Sequence, residues 1–333
     1  MARLPIVTGL GGINAAGRSS NHHAYRRMVI DILDAEQALE TYAAIASLTG
    51  RLTRENNSWK DGAGNKVELK AYIDSIKSEL LQSTLIRKLE DNLFDPDQVH
   101  FHQRANLSSV NGEGFEFSLK TKQLPSPLPP GWEMFPEPND PSNKVRVRVE
   151  QNFEVLLDCF RKNNVNCAGQ LPTGFKPELL YQARNHPRAL QLTVYAASDA
   201  INSLGIDWEA VRQLVPPDQI GVYAGSAMGQ LDYNGFGGLL QARILGKKVT
   251  SKQMPLGYAE MPGDFVNAYL LGNLGTNGTN VAACATFLYN LRHAVRDIQS
   301  GTHRVAVVGT TEAPIFPESF DHLLEKSQPD SAE

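Results

Sequence analysis

The sequence is poor in the features that mark several classes of protein. Its 333 residues include only 3 cysteines, Cys159, Cys167 and Cys284. This sparse, odd set does not form a disulfide framework and is typical of a reducing compartment, so we expect a cytoplasmic protein. No stretch approaches the roughly 20 apolar residues of a membrane span, and no secretory signal core is present. The sequence therefore predicts no membrane association.

Charge of one sign is also lacking. The formal net charge is −4 at pH 7 and the pI is near 6.1. This balance argues against a nucleic acid partner, because nucleic-acid-binding domains carry a basic excess. A small basic cluster, Arg18, Arg26 and Arg27, is interpreted as a solvated face or an internal anion partner, with a docking surface for an acidic protein as the alternative. The adjacent pair His22-His23 has no second ligand pair nearby, so we expect no metal.

The chain opens with a predicted strand at 5–8 and a glycine-rich turn at 9–12. A dinucleotide fingerprint would need a third glycine where Asn14 stands, and no strand ending in an acidic residue follows at the usual distance. We therefore expect no nucleotide cofactor, and no cofactor of any other kind.

Apolar periodicity predicts an alternation of strands and helices in the remaining core. Its elements are strand 5–8, helix 189–203, strand 220–225, helix 264–271, strand 280–283, helix 285–300 and strand 304–309. This order predicts an α/β fold with a mainly parallel sheet and flanking helices. Within helix 189–203, the polar pair Ser198-Asp199 is predicted to lie at the protein surface and to have no catalytic role.

A different composition fills the region between the first strand and this core. Helical patterns at 24–50 and 67–90 flank a polar stretch at 51–65, which is predicted to be a loop. Strand patterns follow at Phe115–Leu119 and Val145–Val149. We predict a first strand and turn at 1–20, an inserted cap at 21–150, a core at 151–325 that carries Cys284, and a disordered tail at 326–333.

Cys284 stands where a predicted strand meets a predicted helix. The first turn of a helix offers backbone N–H groups and a positive dipole end, which favour a thiolate nucleophile and can hold an oxyanion. The small neighbours Ala283 and Ala285 leave room for an acyl group. A buried structural cysteine is the alternative that position alone leaves open.

The segment Ala283-Cys284-Ala285-Thr286, with Val305–Glu312 after it, resembles the nucleophile region of the β-ketoacyl-acyl-carrier-protein synthases, condensing enzymes of the thiolase fold. The opening Leu4–His23 resembles the extended bacterial members used in fatty acid initiation. The resemblance implies that Cys284 accepts an acyl group from a thioester. It further implies that malonyl carrier protein then condenses with this acyl group in a decarboxylative Claisen reaction, with a homodimer as the expected assembly.

The resemblance covers the N-terminal half of that family. Its mechanism uses two histidines from a second half, and the histidines after Cys284 stand in none of its motifs, so we assign no catalytic role to His293, His303 or His322. We therefore expect a chain truncated before the catalytic histidines. Phe287, where most relatives have a smaller residue, is predicted to shorten the acyl pocket or to be ordinary helix packing.

Two other functions stay open at this point. The chain could be a non-catalytic half-synthase that acts as an interaction protein. It could also be a thiolase or another cysteine acyltransferase, although the extended opening and the segment ending at Glu312 argue against a thiolase.

Overall fold

The computed structural model describes residues 4–109, 112, 114–136, 142–150, 153–272, 275–312 and 314–320. The chain divides into two units, Met1–Phe94 with Val165–Glu333, and Asp95–Asn164. These bounds differ from those of the predicted cap, 21–150, whose role as an insertion stays a prediction, as does the core at 151–325. The predicted tail, 326–333, lies outside the described residues.

The α-helices formed by the described residues all belong to the first unit. In chain order the described α-helices are α1 (His23–Met28), α2 (Ala35–Leu48), α3 (Leu69–Gln82), α4 (Arg188–Asn202), α5 (Trp208–Leu214), α6 (Phe236–Gln241), α7 (Gln253–Leu256), α8 (Met261–Val266) and α9 (Thr286–Ser300). The predicted helices at 189–203 and 285–300 are confirmed as α4 and α9. The predicted helix at 264–271 is divided between α8 and a π-helical turn, Asn267–Leu271.

The strands form several small sheets. The described strands are β1 (Ile13–Asn14), β2 (Gly17–Arg18), β3 (Leu52–Glu55), β4 (Ser58–Asp61), β5 (Lys66–Val67), β6 (Ile86–Lys88), β7 (Val99–Leu107), β8 (Phe115–Lys120), β9 (Trp132–Pro136), β10 (Lys144–Val149), β11 (Phe153–Arg161), β12 (Cys167–Gly169), β13 (Ile220–Gly225), β14 (Thr276–Gly278) and β15 (Val305–Thr310). Their order within each sheet is β1-β2, β3-β4-β5, β6-β12, β7-β11, β8-β10-β9 and β14-β13-β15.

The sheet β14-β13-β15 is parallel and organises the first unit. Every residue of β13 is buried, as expected for a central strand that reads as a continuous apolar run. Its side chains Ile220 and Val222 pack in one cluster with Val266 and Leu271 from the α8 segment. The predicted strands at 220–225 and 304–309 are confirmed as β13 and β15, and the α/β class is confirmed with them.

Two predictions about the amino-terminal part of the first unit are wrong. The polar stretch 51–65 is the hairpin β3-β4, whose turn residues Asn56 and Asn57 both have positive φ. Asparagine tolerates this conformation, so a polar sequence can still form a tight hairpin. The predicted strand at 5–8 is not a strand, and Ile6 and Val7 are each 79% exposed.

The second unit is made of antiparallel strands. In β10 the valines Val145, Val147 and Val149 are buried and alternate with arginines, so the predicted strand is confirmed. The strand predicted at Phe115–Leu119 is confirmed as β8, which pairs with β10 along its whole length. The pair β7-β11 has no counterpart among the predicted elements.

Candidate active site

Cys284 lies in a turn between the parallel sheet and α9, and its side chain is exposed. The predicted strand at 280–283 is wrong, because β14 ends at Gly278. The N–H of Asn280 donates to Asn290 Oδ1 (2.7 Å), and the N–H of Ala282 donates to Thr286 Oγ1 (3.0 Å). These backbone donors are therefore directed at side chains of α9 and not at β13.

The turn is tight and left-handed. Ala283 has φ +47°, and the backbone closes through N–H bonds from Ala285 to Ala282 O (2.9 Å) and from Thr286 to Ala283 O (3.1 Å). A left-handed conformation costs a residue with a Cβ roughly 1–2 kcal/mol. Cys284 thus follows a strained residue and lies two positions before the first residue of α9, where no side chain caps the helix.

Two buried polar residues hold this turn, and no role was predicted for either of them. Thr286 is 1% and Asn290 0% exposed. The Thr286 hydroxyl donates to Ala283 O (2.8 Å) while accepting from Ala282, and Asn290 Nδ2 donates to Thr279 Oγ1 (3.5 Å). Their spacing of four residues places them on one helix face with the buried Ala294, and no apolar periodicity in the sequence marks that face.

Phe287 lines a cavity of about 950 Å³. Other parts of its wall come from Leu291 and Ile298 of α9, from β15 and from α4. The Phe287 ring is 41% exposed, whereas Cys284 is not among the residues that line the cavity. The geometry therefore gives Phe287 access to a space large enough for a ligand.

The two described histidines after Cys284 have structural partners. The His293 ring stacks on Tyr223 with centroids 5.1 Å apart, and its Nδ1 lies 3.1 Å from Asn280 Nδ2. His303 is buried, with 1% of its surface exposed. Its two ring nitrogens lie 3.1 Å from Tyr223 Oη and 3.0 Å from Thr276 Oγ1. His322 lies outside the described residues.

Burial raises the pKa of Tyr223, and the hydrogen bond between its hydroxyl and the Asp297 carboxylate raises it further. The Tyr223 phenol therefore stays protonated at neutral and moderately alkaline pH. Together with His303 it forms a polar network beneath α9, which fixes the helix on the parallel sheet.

The loops after β13 and β15 are joined by Glu312. Its carboxylate accepts the N–H groups of Ala227 (2.5 Å) and Met228 (3.1 Å). Glu312 closes the second segment on which the sequence resemblance rests, and here it fixes the two strand ends relative to each other.

The glycine-rich opening packs on α4. A Cβ at Gly11 would lie 2.2 Å from Ala200 N, so glycine is needed there for close backbone approach. Asp199 is 6% exposed, so its predicted position at the protein surface is wrong. Its carboxylate accepts hydrogen bonds from Gly12 N (3.0 Å) and Ser20 Oγ (2.7 Å). Its buried carboxylate holds the opening segment against the helix.

The basic cluster is held by internal partners. Arg18 pairs with Asp199 (2.8 Å) and Arg26 with Glu40 (2.9 Å). Arg27 is buried and donates to Thr84 Oγ1 (2.8 Å). Arg18 is therefore paired with a buried carboxylate, which favours the interpretation as an internal anion partner, whereas Glu40, the partner of Arg26, is 57% exposed. Separately, none of the helices in the described ranges is both long and apolar enough to cross a bilayer.

Comparison with known proteins gives consistent matches. Residues 161–329 match the model of the family "Beta-ketoacyl synthase, N-terminal domain". The chain is 45% identical over 321 residues to the beta-ketoacyl-[acyl-carrier-protein] synthase FabY of Pseudomonas aeruginosa, covering 96% of this chain and 50% of that protein. It is 30% identical over 142 residues to the 3-oxoacyl-[acyl-carrier-protein] synthase 2 of Staphylococcus aureus, covering 40% of this chain and 32% of that protein.

Solved structures agree. The crystal structure of the ketosynthase FabY from P. aeruginosa superposes with a TM-score of 0.90 at 44% sequence identity, covering 98% of this chain and 50% of that chain. The present chain thus spans about half the length of the Pseudomonas relative, by sequence and by structure.

Proposed function

Because this chain belongs to the β-ketoacyl synthase family, we propose that it is the acyl-accepting part of a β-ketoacyl-acyl-carrier-protein synthase of fatty acid biosynthesis. An acyl group is first transferred to Cys284 and is then condensed with malonyl carrier protein. The partners in this proposal are acyl carrier protein and the acyl and malonyl thioesters. The proposal includes a homodimer and a cytoplasmic location.

The observation that carries the proposal is the exposed thiol of Cys284 on a strained turn directly before α9. The amino end of an α-helix stabilises a negative charge by about 0.3–1 kcal/mol at an exposed position. This favours the oxyanion that forms when a thioester is attacked.

The bond changes balance in two steps. In the first, the Cys284 sulfur attacks the thioester carbonyl carbon, the oxyanion collapses, and the carrier leaves as its thiolate. In the second, malonyl carrier protein loses CO₂ and the resulting enolate carbon attacks the acyl-cysteine carbonyl. The new carbon–carbon bond replaces the bond to Cys284, which returns as the free thiolate. We assign the histidines of the second step to neither His293 nor His303, because both have structural partners.

Phe287 is proposed to contact the acyl chain. Its ring faces the cavity along α9, three residues beyond Cys284. Replacing it with a smaller side chain is expected to admit longer acyl groups.

Intact-mass spectrometry tests the proposed function. The chain is incubated with acetyl and malonyl carrier proteins, and the adduct mass and released products are measured. We expect one acyl adduct per chain, lost in Cys284→Ala and retained in Cys167→Ala, which removes another exposed thiol.

Each other outcome has a defined meaning. Acylation without a ketoacyl product supports acyl transfer to Cys284 and overturns condensation by this chain alone. The absence of any adduct contradicts the proposal and supports a non-catalytic interaction protein. Equal labelling by acetyl coenzyme A without a carrier supports a thiolase-type acyltransferase instead.

A further inference from the structure

Two histidines and an aspartate meet on one face of the antiparallel pair β7-β11, in the unit Asp95–Asn164. His100 and His102 are two residues apart on β7, so both side chains project from the same face. Asp158 lies opposite His102 in the strand register, on the same face of β11. The three side chains come from two strands that are distant in sequence.

The distances within this group are short. The Nε2 atoms of His100 and His102 lie 2.9 Å and 3.1 Å from the same oxygen, Oδ1 of Asp158. The two rings are edge to face with centroids 4.7 Å apart. One potential ligand atom from each of the three residues lies within 4.8 Å of the others.

We propose that His100, His102 and Asp158 bind a divalent transition metal ion of the zinc type. Zinc binds imidazole nitrogen and carboxylate oxygen at about 2.0–2.2 Å, so neighbouring ligand atoms in a tetrahedral site are roughly 3.3–3.5 Å apart. The two separations from Asp158 Oδ1, 2.9 Å and 3.1 Å, are close to that value, and all three ligand atoms lie within 4.8 Å of one another, so that side-chain rotations can bring them around one centre. The backbone needs no rearrangement.

The ligand set selects the class of metal. Imidazole ligands suit zinc, copper and nickel, whereas magnesium and calcium prefer sites made of oxygen. Each imidazole must present an unprotonated Nε2 to the metal, so its ring proton resides on Nδ1 in the bound state. The hydrogen bonds now made to Asp158 are thereby exchanged for bonds to the ion.

The surroundings leave one coordination position open. The Asp158 side chain is 73% and the His100 side chain 33% exposed, so water can complete a four-coordinate site. The Phe160 ring lies 5.4 Å from the His100 ring and covers one side of the group. A metal bound here joins β7 to β11 and stabilises their pairing.

Zinc titration of the untagged 333-residue chain in competition with a chromophoric chelator tests this site. We expect one Zn²⁺ per chain, with the affinity lowered at least about tenfold in His100→Gln, His102→Gln and Asp158→Asn. These changes are nearly isosteric or lie on an exposed face, and circular dichroism verifies the fold. Co²⁺ is the second probe, and its ligand-field bands should show tetrahedral coordination in the wild type only.

His22→Gln is the matched control, because it removes an exposed histidine from the pair His22-His23 in the other unit. Unchanged Zn²⁺ affinity in His22→Gln supports the site. The proposal is overturned if the His100→Gln, His102→Gln double variant binds Zn²⁺ as tightly as the wild type, or if His22→Gln accounts for the loss. Acylation of Cys284 is not involved in this test, so its outcome is independent of the proposed function.

Discussion

Strand β13 of the first unit and strand β11 of the second unit differ in how far their side chains are buried. In the first unit, β13 is covered on both faces and flanked by parallel neighbours. In the second, β11 has exposed apolar side chains, with Leu156 55% and Phe160 62% exposed. The stability of the first unit therefore depends on its apolar core, whereas that of the pair β7-β11 depends more on backbone hydrogen bonds and on polar cross-strand pairs.

The largest expected effect on stability comes from the same substitution, leucine to alanine, made once in each unit. Leu190 on α4 is 0% exposed and packs with Val194 and Phe265, whereas Leu156 is mostly exposed. Leu190→Ala should lower the free energy of unfolding by about 2–5 kcal/mol. Leu156→Ala should change it by about 0.5 kcal/mol or less. Urea denaturation of both variants measures the difference.

Equal losses in the two leucine variants would contradict the comparison. They would mean that the face of β11 carrying Leu156 is covered in the working protein. The wild type and a Leu156→Val variant, which keeps an apolar surface, serve as the references.

Two threonines, one in each unit, allow a buried hydrogen-bonding side chain to be compared with an exposed one. Thr286 is buried and holds the Cys284 turn, whereas Thr121 in the second unit is exposed and bonds to Asn143 O (3.1 Å). Thr286→Val should cost about 1–3 kcal/mol, because it leaves the Ala282 N–H without its partner. Thr121→Val should cost only a few tenths, roughly the level of surface changes.

The Thr286 prediction has a chemical readout as well. Alkylation of Cys284 by iodoacetamide should change in rate in Thr286→Val and return towards the wild-type rate in Thr286→Ser, which keeps the hydroxyl. A rate that follows stability alone, with no rescue by serine, would show that Thr286 does not position the sulfur.

The smallest expected effect is a difference in pH dependence. Burial, with Arg18 and Arg26 nearby, holds the pKa of His23 below its ordinary value of 6.5. The neutral ring is therefore favoured in the fold, and stability is lost as the pH falls below 6.5. Hydrogen bonding to His100 is the main cause that lowers the pKa of Asp158 below 3.8, so its contribution is lost only as the pH falls below that value.

Thermal unfolding across a pH series separates these two windows. His23→Gln should flatten the profile just below pH 6.5, and Asp158→Asn should flatten it only below pH 3.8. A His23→Gln profile that still has the wild-type slope in its window would contradict the assignment.

The sequence predicted those parts of the fold in which burial leaves a periodic signal. β13, β15 and α4 have an apolar run or a buried apolar face, whereas α9 was predicted from an apolar face on which Phe287 is 41% and Leu288 64% exposed. All four elements were predicted within a residue or two. The pair β7-β11 was missed because both of its faces combine exposed apolar and polar side chains, which removes the alternation. The hairpin β3-β4 was missed because its strands are polar.

The candidate site was predicted as a position but not as a geometry. The sequence placed Cys284 before a helix, and the structure agrees. It could not reveal that the backbone donors of 280 and 282 bond to Asn290 and Thr286, because side-chain partners carry no periodicity. The group His100, His102 and Asp158 was missed for a related reason, since its third member joins through a strand pairing that the sequence did not indicate.

The turn that carries Cys284 has a mechanical consequence. It is tied to α9 by Thr286 and Asn290, and β14 has already ended at Gly278. The position of the sulfur therefore depends on α9 more than on the strands, and α9 is itself fixed to β13 by the hydrogen bond between Asp297 and Tyr223. A change at Asp297, far from the cysteine along α9, is in this way expected to reach the thiol.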